Sequence, residues 1–284
     1  MRSRLILNLV LLAVVAALAL VAVYRPAMER APGPAPLTRL SADDVERISL
    51  EWPGEATVVM ERTAEGWRMV EPLRGRAAGF RARALAEVAQ AEVLADFDAP
   101  AGALAQYGLD TPQATIGLNE LQIALGDTNP VNQRRYVLHR DRVFLIADTQ
   151  LAHASAKAVD LLDTRLFGDG FEPLAIHPPG VSLTRREGRW SADPPRDELD
   201  PDRITQFVDQ WRFARALRVG AYDGPPTTET IGVEFRPAPG AARERVEIGI
   251  VRRAPETVLL RTDEGLAYHF NAATGERLLD PAAH

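Results

Sequence analysis

The chain has 284 residues, of which 46% are hydrophobic and 25% charged, the balance of an ordinary folded protein. A formal net charge of −6 gives neither a nucleic-acid partner nor an anionic lipid surface any general electrostatic support. There is no cysteine, so no lipid can be carried on an N-terminal thiol. A zinc site would likewise need histidines and carboxylates gathered from distant segments. Lys157 is the only lysine among 33 basic residues, a bias of base composition and not of phosphate chemistry.

Residues 1–4 form a short tail. Residues 5–24 then run LILNLVLLAVVAALALVAVY, with Asn8 as the one polar side chain and no charge. Twenty residues of helix cover about 30 Å, the thickness of a bilayer's hydrocarbon core. The small residues that could mark signal cleavage, such as Ala17 and Ala19, lie inside the apolar run, so the segment reads as an uncleaved single-pass anchor. Arg2 and Arg4 on one side and Arg25, Arg30 and Arg39 on the other do not decide orientation by charge. Large C-terminal domains translocate largely regardless of charge. The expected arrangement is therefore a short N-terminal tail with the large C-terminal domain outside the cytoplasm. Residues 25–40 begin with RPAMERAPGPAP, whose four prolines predict an extended spacer holding the folded part off the membrane.

Folded structure is expected from Ser41, in two units over residues 41–168 and 169–284. In the first, residues 45–51, 57–62 and 67–70 have strand character, with a turn at Glu65-Gly66. Residues 80–94 are alanine-rich with Leu85, Val88, Ala91 and Leu94 near helical spacing. Residues 107–112 form a loop, strands follow at 114–118, 121–125, 135–139 and 143–147, and Asp148 is expected to cap a helix reaching Leu162. The second unit repeats the order. Strands at 181–186 and 189–190 precede a helix with Asp200 as N-cap and Pro201 as its first residue. That helix shows Ile204, Phe207, Val208, Trp211 and Ala214 on one face. Strands return at 230–235, 245–250, 257–261 and 266–270. Short echoes keep the same order: Glu65-Gly66-Trp67 with Glu187-Gly188-Arg189-Trp190, Thr115-Ile116-Gly117-Leu118 with Thr230-Ile231-Gly232-Val233, and Val137-Leu138 with Val258-Leu259. Spacings of about 115 to 125 residues are those of a duplicated unit with loop insertions. The expected fold class is α+β: one N-terminal transmembrane helix, then two similar units, each a curved antiparallel sheet with an amphipathic helix packed on it.

No site chemistry survives inspection. The histidines (His139, His153, His177, His269, His284) show no metal-ligand spacing. The acidic run from Asp193 to Asp202 lacks the ligand order of a calcium loop and reads as turn and cap. Ser155 and Lys157, two apart on a helix, would point about 200° apart and could not form a dyad. Trp67, Trp190 and Trp211 read as core, and Arg134-Arg135 and Arg252-Arg253 as solvated strand ends. No catalytic, cofactor-binding or metal residue is expected, and no cofactor.

One combination does resemble a known family. A single span is followed by a Val58-to-Arg62 strand, a Gly66-Trp67 turn closed by Pro72, a helix, the Tyr107-Gly108-Leu109-Asp110-x-Pro112 loop, the Ile123-to-Gly126 strand end and a Tyr136-Val137 strand. This is similar to the bacterial DUF4340 proteins, closely over residues 45–167 and loosely beyond. The resemblance implies an envelope accessory of the bacterial inner membrane, its C-terminal domain in the periplasm, beside gliding-type ABC transport systems, with no activity or site residue to carry over. The expectation is a non-enzymatic, membrane-anchored scaffold that binds integral-membrane transport or envelope proteins and no nucleic acid. The alternative is an envelope hydrolase or ligand-binding protein with a site assembled from distant residues.

Overall fold

The computed structural model describes residues 14–15, 35–99, 102–151, 153–154 and 156–283. The apolar stretch 5–24 lies outside them apart from Val14 and Val15, as do Ser155 and His284. Among the described residues no helix is long and apolar enough to cross a membrane.

The described chain is α+β, with two antiparallel sheets and few helices. The first sheet is built from β1 (Arg47–Glu51), β2 (Val58–Thr63), β3 (Gly66–Glu71), β4 (Gly75–Arg76), β5 (Ala95–Asp98), β6 (Ala114–Leu118), β7 (Leu121–Thr128), β8 (Arg134–His139) and β9 (Arg142–Ala147). Helix α1 (Gly79–Glu87) precedes β5. The second holds β10 (Glu172–His177), β11 (Ser182–Arg186), β12 (Arg189–Asp193), β13 (Arg218–Ala221), β14 (Thr230–Arg236), β15 (Glu244–Arg252), β16 (Thr257–Arg261) and β17 (Leu266–Phe270). Helix α2 (Pro201–Phe213) precedes β13, and α3 (Ala272–Leu279) ends the described fold.

The strand orders are β4-β3-β2-β1-β6-β7-β8-β9-β5 and β12-β11-β10-β14-β15-β16-β17-β13. Set β4 aside and the two lists correspond strand for strand, including the edge strand drawn from after the helix. The helices correspond as well: α1 packs on β1 and β3, and α2 on their counterparts β10 and β12. Register carries the match down to residues. Arg62 faces Trp67 across the first hairpin, and Arg185 faces Trp190 across its counterpart. Gly117 lies opposite Ser49, where a Cβ would come within 2.1 Å of the serine Oγ. Gly232 lies opposite His177 in the same relation, with its Cβ position 3.3 Å from the imidazole. The recurring Thr-Ile-Gly is thus a strand end that must admit a neighbour's side chain.

Local chemistry explains the elements that were legible. Ile48 and Leu50 on one face of β1 are fully buried at the centre of the first sheet, each side chain contributing about 2 kcal/mol on removal from water. In α2 the Asp200 carboxylate accepts from the Arg203 amide at 2.8 Å, and Ile204, Phe207, Val208 and Trp211 form the buried stripe at i, i+3, i+4 and i+7.

Four expectations are corrected. The alanine-rich helix ends at Glu87 and a single 3-10 turn carries on to Gln90, well short of Leu94. Residues 91–93 turn extended because they pair with the end of the spacer: Leu37 N–H donates to Ala91 O and Val93 N–H to Ala35 O. No helix runs from Asp148 to Leu162; short 3-10 turns stand at Asp148–Leu151 and Ala158–Leu161. The Asp148 carboxylate is occupied by Arg135 at 2.7 Å, and Trp52 Nε1 donates to Ala154 O at 2.8 Å, removing a carbonyl that a helix would need. Lys157 therefore stands at the start of a 3-10 turn and not on a helix. The second sheet begins at β10, earlier than expected, although Pro173 lies within that strand and coincides with a register shift. Finally, β5, β13 and α3 had no sequence counterpart in the expected elements.

Candidate functional site

The segment between the sheets is bonded to both. On one side Ala77 bridges Leu162, Ala78 N–H donates to Leu161 O at 2.7 Å, and Asp163 N–H donates to Arg76 O at 2.8 Å. On the other Arg165 bridges Arg215, and Ala216 N–H donates to Thr164 O at 2.8 Å. Residues 161–165 therefore act as a shared strand, stitching the β4 edge of the first sheet to the β13 edge of the second. Gly75 makes the contact close, since a Cβ there would meet Leu266 Cδ1 at 2.5 Å. The buried apolar residues of both sheets form one continuous core.

A cavity of about 350 Å³ opens at this seam. Its apolar wall is Trp67 and an aromatic cluster in which Phe167 stacks on Phe171, ring centres 4.0 Å apart. Arg261 lies 5.0 Å above the Phe167 ring. The polar wall pairs guanidinium with carboxylate. Asp163 Oδ2 accepts from Arg165 Nη2 at 2.8 Å, and Asp263 accepts from Arg261 at 2.7 and 2.9 Å. Arg165 also meets Asp169, and Arg76 Nη2 donates to Arg165 O. Glu264, whose side chain is only 4% exposed, has Arg68 and Arg76 each 3.8 Å from Oε1 and Arg261 at 4.0 Å. Tyr268 donates to its other oxygen at 3.2 Å. The Nε of Arg76 is buried without a hydrogen-bond partner among the described residues.

These contacts set the charge states. Burial disfavours the Arg261 cation, but Asp263 and Glu264 outweigh it and raise the pKa above the ordinary guanidinium value. Burial also works against the Asp263 anion; the hydrogen bond from Arg261 wins and the pKa falls. Burial first, then Glu264, pushes the Tyr268 phenol above its ordinary value. Carboxylates converge at the seam: Asp163, Asp169, Asp263 and Glu264 meet guanidiniums, and Glu65 and Glu244 line the same cavity. The Arg68 and Arg76 contacts with Glu264 tie the first sheet to the second electrostatically.

Two other hollows lie on the first sheet. One of about 450 Å³ is lined by Trp52, Gln113, Leu125 and the Arg135–Asp148 pair. The other, of about 950 Å³, lies where the chain leaves the spacer, beside Leu37, Leu40, His139 and Phe144. The motif loop belongs to neither chemistry. Tyr107 rests against Phe97 and Tyr136, and a Cβ at Gly126 would come within 2.2 Å of Tyr107 O. Gly108 takes a φ of 65° over the Asp127 carboxylate. The Tyr-Gly-Leu loop and the strand-end glycine are two halves of one close backbone contact.

The sequence-flagged residues are not brought together. His139 bonds Gln122 O at 2.9 Å, His177 bonds Ser182 Oγ at 2.7 Å, His269 contacts Glu256 at 3.1 Å, and His153 meets the Phe80 ring. Among the described residues no group of three or more His, Asp or Glu could hold a metal. Trp67 and Trp211 are buried and Trp190 packs on the core. Arg135 departs from expectation: it is not solvated but bridges Asp148, Gln113 Oε1 and Gly126 O. The seam cluster itself was missed. Its members lie far apart in the chain, and an Arg or Asp carries no mark of burial until a partner is known.

The profile of the domain of unknown function DUF4340 matches residues 67–233, more than half of the chain. The match runs from Trp67 in β3 to Val233 in β14 and so includes the connecting segment 161–165 but not Arg261, Asp263 or Glu264. No curated protein and no solved structure matches the chain.

Proposed function

The chain belongs to the DUF4340 family, and on that basis we propose that it is a membrane-anchored, extracytoplasmic scaffold that binds protein partners in an envelope or ABC-type transport assembly. The observation that carries this reading is the stitched seam. Two sheets of matching strand order share one core and one connecting strand, with ion pairs buried between them. Such a body has no slack hinge. Held by residues 25–34 beside the apolar stretch 5–24, it would stand at a set distance from a membrane complex and keep its surfaces in fixed register. The pairing of Asp163, Asp263 and Glu264 with guanidiniums favours this over the hydrolase alternative, which needs a carboxylate or histidine free to move a proton.

The test is crosslinking of the full-length protein in native membranes, followed by mass spectrometry of what co-purifies. The reading expects a transport permease or its companion subunit, with crosslinks mapping to both sheets. Recovery of the protein alone, at every crosslinker length tried, would remove it.

A further inference from the structure

Four large apolar side chains flank the seam and face solvent: Phe80 at 67%, Phe213 at 68%, Leu217 at 65% and Val159 at 42% exposure. The seam's own hydrogen bonds draw together the chain segments that carry them. Phe80 lies two residues beyond Ala78, whose amide bonds Leu161; Val159 lies two before Leu161; Leu217 follows Ala216, whose amide bonds Thr164. Burying side chains of this size is favourable, so four left exposed on segments joined at the seam point to a contact surface.

The cations around it give the occupant's chemistry. Arg81 lies over the Phe80 ring at 5.4 Å and Arg212 over Phe213 at 5.9 Å. Arg215 and Lys157 are exposed beside them. Among the described residues none of these four cations is ion-paired, whereas Arg135, Arg218 and Arg253 each meet a carboxylate. The acids nearest in sequence are Asp160 and Asp209. Exposed phenylalanines fringed by unpaired cations suit a bilayer interface, with rings at the acyl boundary and guanidiniums among anionic headgroups.

Chain length favours that occupant. From Ala91, which holds the end of the spacer through Leu37, α1 and its following turn lead back to Phe80 over about 18 Å at helical rise. The ten residues 25–34 reach at most about 35 Å when extended. A tether of this length keeps the seam face within reach of the membrane its own anchor enters, even though the spacer can also extend away from it.

We propose that this seam face docks on the anionic surface of the bilayer entered by the N-terminal apolar segment, an inference that rests on the anchor reading. The whole-chain charge of −6 does not oppose it at contact, because acids elsewhere are screened beyond a Debye length of about 8 Å at physiological salt.

The cysteine-free chain permits a clean test. Full-length Leu217→Cys carries a nitroxide in nanodiscs of phosphatidylcholine with or without 30% phosphatidylglycerol (about 30%, a typical anionic load). Val131→Cys, 91% exposed, serves as the water control, and Val14→Cys reports the anchor. The ratio of oxygen to nickel-chelate accessibility at position 217 is expected to exceed that at 131 several-fold in anionic discs. It should fall toward the control in neutral discs and in the triple variant Arg81→Gln, Arg212→Gln, Arg215→Gln, whose circular dichroism stays unchanged. Equal ratios at 217 and 131 in anionic discs, with Val14 in lipid, would overturn docking and leave the anchor standing. A water-exposed Val14 would overturn the anchor and docking with it. Protection of 217 in native membranes but not in discs would make the face a protein interface, overturning the lipid assignment.

Discussion

Replacing Glu264 by glutamine tests whether charge at the seam holds the two sheets together. The Glu264 side chain is 4% exposed, with Arg68 and Arg76 at 3.8 Å and Arg261 at 4.0 Å. At an effective dielectric of about 20 each such pair is worth roughly 4 kcal/mol before desolvation is charged against it. Removing one partner of a buried pair costs about 3–5 kcal/mol, chiefly because the remaining charge is left uncompensated. Here Arg261 keeps Asp263 and Arg76 keeps Asp163, so the lower end, about 3 kcal/mol, is expected. With a urea slope of about 3 kcal/mol per molar for a protein this size, the midpoint should fall by about 1 M. The assay is urea unfolding in a nonionic detergent, followed by tryptophan fluorescence, with Asp169→Asn as control. Asp169 also meets Arg165, but its side chain is 86% exposed, so its loss should cost under about 1 kcal/mol. Both variants should unfold in one transition, because the sheets share a core. A Glu264→Gln midpoint no lower than that of Asp169→Asn would refute the electrostatic account of the seam.

Gly117→Ala should cost about 1–3 kcal/mol through overpacking, since the new methyl would lie 2.1 Å from Ser49 Oγ. Adding Ser49→Ala should recover at least half of that, and a double-mutant cycle by thermal unfolding reads it; strict additivity would show that the crowding lies elsewhere. His177 supplies a pH signature. Burial first, then Arg245, lowers its pKa below the ordinary 6.5, despite Glu234 at 3.8 Å, whose charge Arg243 and Arg245 already engage. A histidine with a depressed folded pKa contributes stability that is full above 6.5 and lost as pH falls below it. The melting temperature of the wild type should therefore drop more between pH 7 and 5 than that of His177→Gln, and parallel profiles would refute it (about pH 5 being where an unperturbed imidazole is fully charged).

Local pattern carried the hairpin strands, the Asp200-Pro201 helix start and the second sheet's last four strands. Each is written in alternation, capping or turn chemistry that acts over a few residues. It also carried the family's motif positions, and the structure supplies their reason: Gly126 and the Tyr107 loop touch backbone to side-chain-free backbone. What pattern could not supply were elements whose identity comes from a partner. β5 and β13 are short and largely exposed, and are strands because β9 and β17 offer an unpaired edge. Residues 91–93 leave the helix because the spacer's end pairs with them. Asp148 forgoes capping because Arg135 reaches it first. The seam is the extreme case: Arg76, Asp163, Glu264 and Arg261 become a buried ion cluster only when residues 161–165 draw two sheets together. Composition and short-range pattern determined which segments bury a face. Tertiary structure alone decided which charges lose their water, because desolvation depends on every neighbour at once.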